Sequence, residues 1–216
     1  GTPLIQVVDS VSKMVPRDLM KALARDGGKA LRSGAGRLQA QLNTNWLMEL
    51  GPKVGNDDVL FVVIAHEIES QDGSAWTAGW KVKGGGALVY DSMTQLRVTF
   101  AGQVKDLSGD DSPVTGRRHR VKVYKNKHGP PLGEFCFYSA LGNGAAPKGL
   151  DRPREVVHEA IVRGIVDGPD PKSGLTLGAR LAWGRRVFTL KSLYEEKNAE
   201  LVDRMADALD GVADAS

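Results

Sequence analysis

The chain has 216 residues, 41% hydrophobic and 25% charged, with a net charge of +3; this is the composition of a globular chain with one full core and a small appendage. No apolar stretch approaches the roughly 18 residues that cross a bilayer, and no basic-then-apolar leader opens the chain, so no membrane partner is expected. A single cysteine, Cys136, allows no internal disulfide and fits a reducing, cytoplasmic interior; its alternation with aromatics in Glu134–Tyr138 marks a strand residue rather than a nucleophile.

Leu4-Ile5-Gln6-Val7-Val8-Asp9-Ser10 is an apolar, β-branched run ending in a carboxylate and a hydroxyl. It predicts a strand buried in a parallel sheet, with Asp9 and Ser10 delivered to the carboxyl edge, where open α/β sheets bind ligands. Residues 16–35 are rich in glycine and basic residues, and Lys21, Arg25, Lys29 and Arg32 fall on one helical face interrupted by Gly27-Gly28. A cleaner helix is predicted from Gly36 to Leu50, with Leu38, Leu42, Trp46 and Leu50 as an apolar stripe and Gly51-Pro52 as its stop. Val59–Ala65 reads as a strand apolar on both faces, ending at His66-Glu67.

Residues 67–86 carry Gly73, Trp76, Gly79, Trp80, Lys81, Lys83 and Gly84-Gly85-Gly86 without regular periodicity. A loop of this length inside a compact domain tends to be functional. Strands are predicted at Gln95–Val104 and Arg118–Tyr124, joined by a turn-rich segment, and at Glu134–Ser139. Leu141–Asp151 has the composition of a linker. A helix near Arg154–Val166, a small hairpin through Leu181–Leu190 and a helix from Ser192 to Leu209 follow.

Charge is unevenly spread. Residues 13–53 carry eight basic residues against three acids, residues 117–127 carry six basic residues and no acid, and residues 195–214 carry seven acids against two bases. Clustered positive charge reads as a phosphate-binding surface, and an acidic end as a tail that competes for it.

The order of these features resembles the RecA family of recombinases, and its phage UvsX-like branch in particular. The resemblance is carried by Val7-Val8-Asp9-Ser10, by the strand ending Ile64-Ala65-His66, by Gly84-Gly85-Gly86-Ala87-Leu88-Val89-Tyr90, and by Arg120-Val121-Lys122-Val123-Tyr124-Lys125-Asn126-Lys127. It implies an α/β fold: a partial RecA-like P-loop-type core with a mostly parallel central sheet and an antiparallel hairpin extension, then a small α+β carboxyl-terminal domain. The implied divisions are residues 1–145, the carboxyl-terminal part of the ATPase core with two DNA-binding loops, and residues 151–216. The implied cofactors are ATP and Mg²⁺, with Asp9 as the metal-facing acid and Ser10 assisting. His66 stands where many relatives place a glutamine that senses the γ-phosphate. Lys125 and Lys127 match lysines that reach a neighbour's ATP across a subunit interface. Residues 17–35 correspond to the first DNA loop, giving Arg17, Lys21, Arg25, Lys29 and Arg32 as backbone contacts. Residues 67–86 correspond to the second, giving Trp76, Trp80, Lys81, Lys83, Gly84 and Gly85. The implied partners are single-stranded and double-stranded DNA and further copies of the protein in a helical filament, in the cytoplasm of a bacterial host cell.

The chain departs from that pattern as well. It lacks the phosphate-cradling Gly-x-x-x-x-Gly-Lys-Ser/Thr, since Gly27-Gly28-Lys29-Ala30 has neither the spacing nor the hydroxyl. The oligomerisation segment, the phosphate loop and the water-activating glutamate of relatives would all precede Gly1. The expectation is a carboxyl-terminal piece of a longer recombinase, inactive as an ATPase alone. The alternative is a non-catalytic DNA-binding or filament-capping paralogue. A hexameric helicase of related fold is disfavoured by the Lys-Asn-Lys strand and the glycine-rich second loop.

Overall fold

The computed structural model describes residues 4–15, 17–26, 35–56, 59–69, 80–83, 85–130, 133–171, 174–195 and 198–213. The chain divides into two compact units, Gly1–Met93 and Thr94–Ser216.

In the first unit, β1 (Leu4–Asp9) and β2 (Val59–Ile64) pair in parallel, from Leu4 opposite Val59 to Asp9 opposite Ile64. Parallel neighbours need a crossover of a dozen or more residues, and here it contains helices α1 (Arg17–Asp26) and α2 (Ala35–Asn56). The helix predicted to stop at Leu50 runs through Gly51-Pro52 to Asn56. Pro52 has no N–H for the Met48 carbonyl, yet Met48, Gly51 and Pro52 are all exposed, so water can satisfy that carbonyl. Trp46 on α2 meets Phe61 on β2 edge-on, with ring centroids 5.4 Å apart. Phe61, Val59 and Val63 therefore turn toward α2, while Leu60, Val62 and Ile64 turn away. Ile5 and Val7 share that outward face through their register with Leu60 and Val62.

Of the two strands expected to be buried on both faces, β2 is covered on one, with Leu60 58% exposed, and β1 is largely open on both, with Leu4 57% and Ile5 65% exposed. The reason is that, among the described residues, β1 and β2 pair only with each other and carry one helical layer. Two short strands, β3 (Glu67–Glu69) and β4 (Trp80–Val82), pair antiparallel, and a one-turn helix, α3 (Ala87–Asp91), completes this unit.

The second unit is built on an antiparallel sheet ordered β5 (Thr94–Lys105), β6 (Val114–Asn126), β7 (Glu134–Ala140) and β8 (Gly149–Leu150). The antiparallel extension expected beside a mostly parallel sheet is the largest of the described sheets. The described parallel pairing is confined to β1 and β2, and the largest sheet is antiparallel because short turns join its strands. One sheet face is apolar, with Leu96, Val98, Phe100, Val121, Phe135 and Phe137 in cross-strand register. The other carries Arg97, Arg118, Arg120, Lys122 and Tyr138.

Helix α4 (Arg152–Val162), a hairpin of β9 (Arg180–Trp183) and β10 (Arg186–Thr189), a 3-10 turn Leu190–Tyr194 and α5 (Ala199–Ala213) enclose a core of Val157, Ala160, Val166, Leu181, Leu190 and Met205. The helix predicted over Ser192–Leu209 is divided between that turn and α5.

The segment 141–151 is tied down rather than free. The Leu141 amide donates to the Thr115 carbonyl at 2.8 Å, the Asp151 amide donates to the Tyr138 carbonyl at 2.9 Å, and Gly149-Leu150 forms β8. Asp151 then caps α4 and accepts at 3.0 Å from the guanidinium of Arg154, which also reaches Asp106 at 2.8 Å. Tyr194 donates its hydroxyl to Asp151 at 2.7 Å. Asp106, Asp151 and Arg154 are all buried. Burial alone would raise the Asp106 carboxyl, but hydrogen bonds from Arg154, the Ala145 amide and Thr115, with the guanidinium charge, hold it below its usual range. His158, buried and bonded to Tyr138 at 2.6 Å, is held below the usual imidazole range by burial and by Arg118. Burial pushes Tyr138 up to about 12.

Removing the shared partner of two buried carboxylates leaves their charge uncompensated, so Arg154→Ala is expected to destabilise this unit by about 3–5 kcal/mol in urea titration. Both Asp106 and His158 bind protons more readily in the unfolded chain. The stability they confer is therefore complete above the ordinary imidazole value of about 6.5 and is lost as pH falls, first through the His158 step and then through the carboxylate range. The urea midpoint should fall on acidification, and His158→Gln should flatten the limb near pH 6.

Candidate nucleotide edge and nucleic-acid interface

Because β1 and β2 run parallel, their carboxyl ends emerge together. Asp9, the last residue of β1, lies opposite Ile64, and His66 follows two residues later. Both side chains are exposed, whereas Ser10 is buried. The Ser10 carbonyl accepts from the Lys13 amide at 2.9 Å, opening the 3-10 turn Val11–Lys13 that leads to α1. Gln39 on α2 pins this turn, its side-chain amide donating to the carbonyls of Val11 at 3.1 Å and Met14 at 3.0 Å.

Ser12 sits inside the turn, 4% exposed. Its hydroxyl accepts from the His66 amide at 2.8 Å and donates to the Lys83 carbonyl at 3.4 Å. The Lys83 amide donates to the His66 carbonyl at 2.8 Å. These three bonds close a ring that holds the end of β2, the turn after β1 and the segment after β4 together. The sequence reading missed Ser12 and Gln39, because a lone hydroxyl and a lone amide outside any motif announce nothing until the chain is folded.

The remaining expected site residues are distributed as follows. Arg17, Lys21 and Arg25 recur every four residues along α1 and are exposed. Trp80 and Lys81 lie in β4, and Lys83 is exposed just beyond it. Lys29, Arg32, Trp76 and Gly84 lie outside the described residues. Gly85, one of the residues expected to approach DNA, packs on α2. Its φ is +101°, and a side-chain carbon there would lie 2.9 Å from the Ala40 Cβ. Only glycine satisfies both conditions. Lys125 is part of β6, opposite Gln95, and Lys127 is exposed one residue past the strand. They belong to the second compact unit, Asp9 and His66 to the first.

As a metal site the edge offers the Asp9 carboxylate at the end of β1, with the exposed Glu67 directly after His66. Among the described residues no group of three or more His, Cys, Asp or Glu could hold an ion by itself. One or two protein carboxylates suit Mg²⁺, which keeps most of its waters and takes its other ligands from substrate phosphates, and do not suit a metal that needs a full protein cage.

Fold and site together define a mixed α/β chain with a parallel strand edge that carries Asp9 and His66, a basic helix leaving it and a glycine-rich segment returning to it. No family model matches the chain. It is, however, similar to curated proteins named RecA. Against that of Marinobacter nauticus it is 33% identical over 161 residues, 74% of this chain and 42% of that protein. Against that of Bdellovibrio bacteriovorus it is 32% identical over 184 residues, 84% of this chain and 43% of that protein. The match to the RecA of Azospirillum lipoferum, at 29% identity, takes in 98% of this chain and 54% of that protein. These similarities support a RecA-family member, and the chain spans about half the length of the curated relatives it matches.

Gly85→Ala should lower the stability of the first unit by about 1–3 kcal/mol, the range for a non-glycine residue in a strained backbone conformation. Hydrogen exchange read along α2 should speed up, because Ala40 must move away.

Proposed function

We propose that this chain is the DNA-facing, carboxyl-terminal portion of a RecA-like recombination and repair protein of the phage UvsX-like branch. The observation that carries the reading is the joint placement of Asp9 and His66 at the carboxyl edge of a parallel strand pair, with a basic helix and a glycine-rich segment anchored to the same edge. Residues 1–145 would be core and residues 151–216 the small carboxyl-terminal domain. Asp106, Asp151 and Arg154 join across that boundary.

ATP with Mg²⁺ is the cofactor this reading assigns to the edge. Bound there, the ion would neutralise charge on the phosphates, Asp9 would orient its water shell, and His66 would hydrogen-bond a terminal phosphate oxygen. Lys125 and Lys127 would act on a nucleotide held by an adjacent subunit. No phosphate-cradling loop occurs in the 216 residues, so hydrolysis by this chain alone is not proposed. The partners are single-stranded DNA along α1 and the 67–86 segment, duplex DNA, and further copies in a filament in the bacterial cytoplasm. Backbone charge dominates such binding, and tryptophans supply sequence-tolerant stacking. Among the described residues no helix is long and apolar enough to cross a membrane.

The test is the salt dependence of binding to an oligodeoxythymidylate by fluorescence anisotropy. The logarithm of affinity should fall linearly with log salt, with a slope of about −0.7 per phosphate neutralised. Replacing Arg17, Lys21 and Arg25 with Ala should flatten the slope by about two units, as three lost contacts require. An unchanged slope makes α1 an ordinary solvated face and removes the DNA reading of that helix.

A further inference from the structure

We propose that the Ser12 hydroxyl is a positioning group that couples the His66 end of β2 to the segments flanking both candidate DNA-binding stretches. The proposal rests on the nucleotide-edge and DNA readings above and adds to them the part that transmits between the two.

Ser12 is the one side chain in the hydrogen-bonded ring. Its hydroxyl supplies both halves of what a hydroxyl can do, accepting from the His66 amide and donating to the Lys83 carbonyl. The ring's third bond, from the Lys83 amide to the His66 carbonyl, is backbone only. Each corner leads to a different candidate function. His66 follows β2 at the ligand-facing edge. Ser12 lies in the turn that runs directly into the basic helix α1. Lys83 ends the excursion through residues 67–82 and precedes Gly85, whose backbone rests on Ala40 of α2. Gln39, one residue before Ala40, grips the Ser12 turn from its other side through the Val11 and Met14 carbonyls. A displacement of His66 along the strand axis must therefore stretch the bond to Ser12, move the turn and be resisted at Lys83.

No apolar residue at position 12 could do this, because the His66 amide and the Lys83 carbonyl would lose their shared partner. The remaining His66–Lys83 bond would still tie β2 to the β4 side. Loss of the hydroxyl should thus uncouple the edge from α1 without dissolving the unit.

The experiment uses the full 216-residue chain and an oligodeoxythymidylate as probe, with two readouts: affinity by anisotropy, and the proton NMR signal of the His66 ring. His66 is one of four histidines, and its resonance is identified by its disappearance in His66→Gln. In the parent chain, saturation with the oligonucleotide should shift the His66 signal. In Ser12→Ala, affinity should stay within about twofold, the cost of a single hydrogen bond distant from the ligand, while most of the His66 shift is lost. Ser12→Thr keeps the hydroxyl and should restore it, which a role in packing alone would not explain. A full His66 shift in Ser12→Ala overturns the proposal and leaves the DNA reading standing. No binding by the parent chain overturns the DNA reading, and the coupling falls with it.

Discussion

A parallel strand pair cannot be closed by a tight turn. That constraint organises the first unit: the chain must leave Asp9, build α1 and α2, and return to lay β2 beside β1. It follows that the polar residues after each strand end on one edge, whatever the helices between them do. Asp9 and His66 become neighbours of register rather than of sequence. The turn holding Ser12 and the strand end holding His66 then lie close enough for a single hydroxyl to join them. The candidate chemistry and its mechanical connections arise from the same topological requirement.

The second unit is held by a different device. Two carboxylates, Asp106 from the end of β5 and Asp151 at the start of α4, share the guanidinium of Arg154 in a nearly dry site, and Tyr194 donates to one of them. Such a cluster contributes less net stability than its short distances suggest, because desolvating the ions opposes the attraction. What it does supply is position: it fixes where α4 begins relative to the sheet. Arg118 adds a second clasp, donating to the Pro171 carbonyl at 2.7 Å and the Ala101 carbonyl at 3.1 Å. Part of the basic charge in residues 117–127 thus serves as a structural clamp.

Much of this fold was legible in the sequence, because β-branched runs and helical periodicity report local structure directly. The strands at 4–9, 59–64, 94–105, 114–126 and 134–140, and the hairpin at 180–189, lie where patterning placed them. The parallel pairing of β1 and the antiparallel pairing of β5 with β6 were legible, from a continuous apolar run in one case and from alternation around a turn-rich segment in the other; the extension of the antiparallel sheet to β8 was not. The passage of α2 through Gly51-Pro52 was hidden because a proline's cost depends on exposure, which a sequence does not state. The demand that Ala40 places on Gly85 was likewise hidden, because the two are 45 residues apart. In the candidate site, the positions of Asp9 and His66 near strand ends and of Arg17, Lys21 and Arg25 on one helix could be read from the sequence. Ser12 and Gln39 could not, because their roles exist only through partners 25 to 71 residues away.

The most direct test of the DNA-facing reading is photo-crosslinking of this chain to a single-stranded oligonucleotide carrying 5-iodouracil, followed by mass spectrometry of the crosslinked peptides. The account predicts crosslinks to peptides spanning α1 and the 67–86 segment, lost when salt is raised. Crosslinks confined to the 117–127 strand or to the carboxyl-terminal hairpin, with none in the first unit, would contradict it.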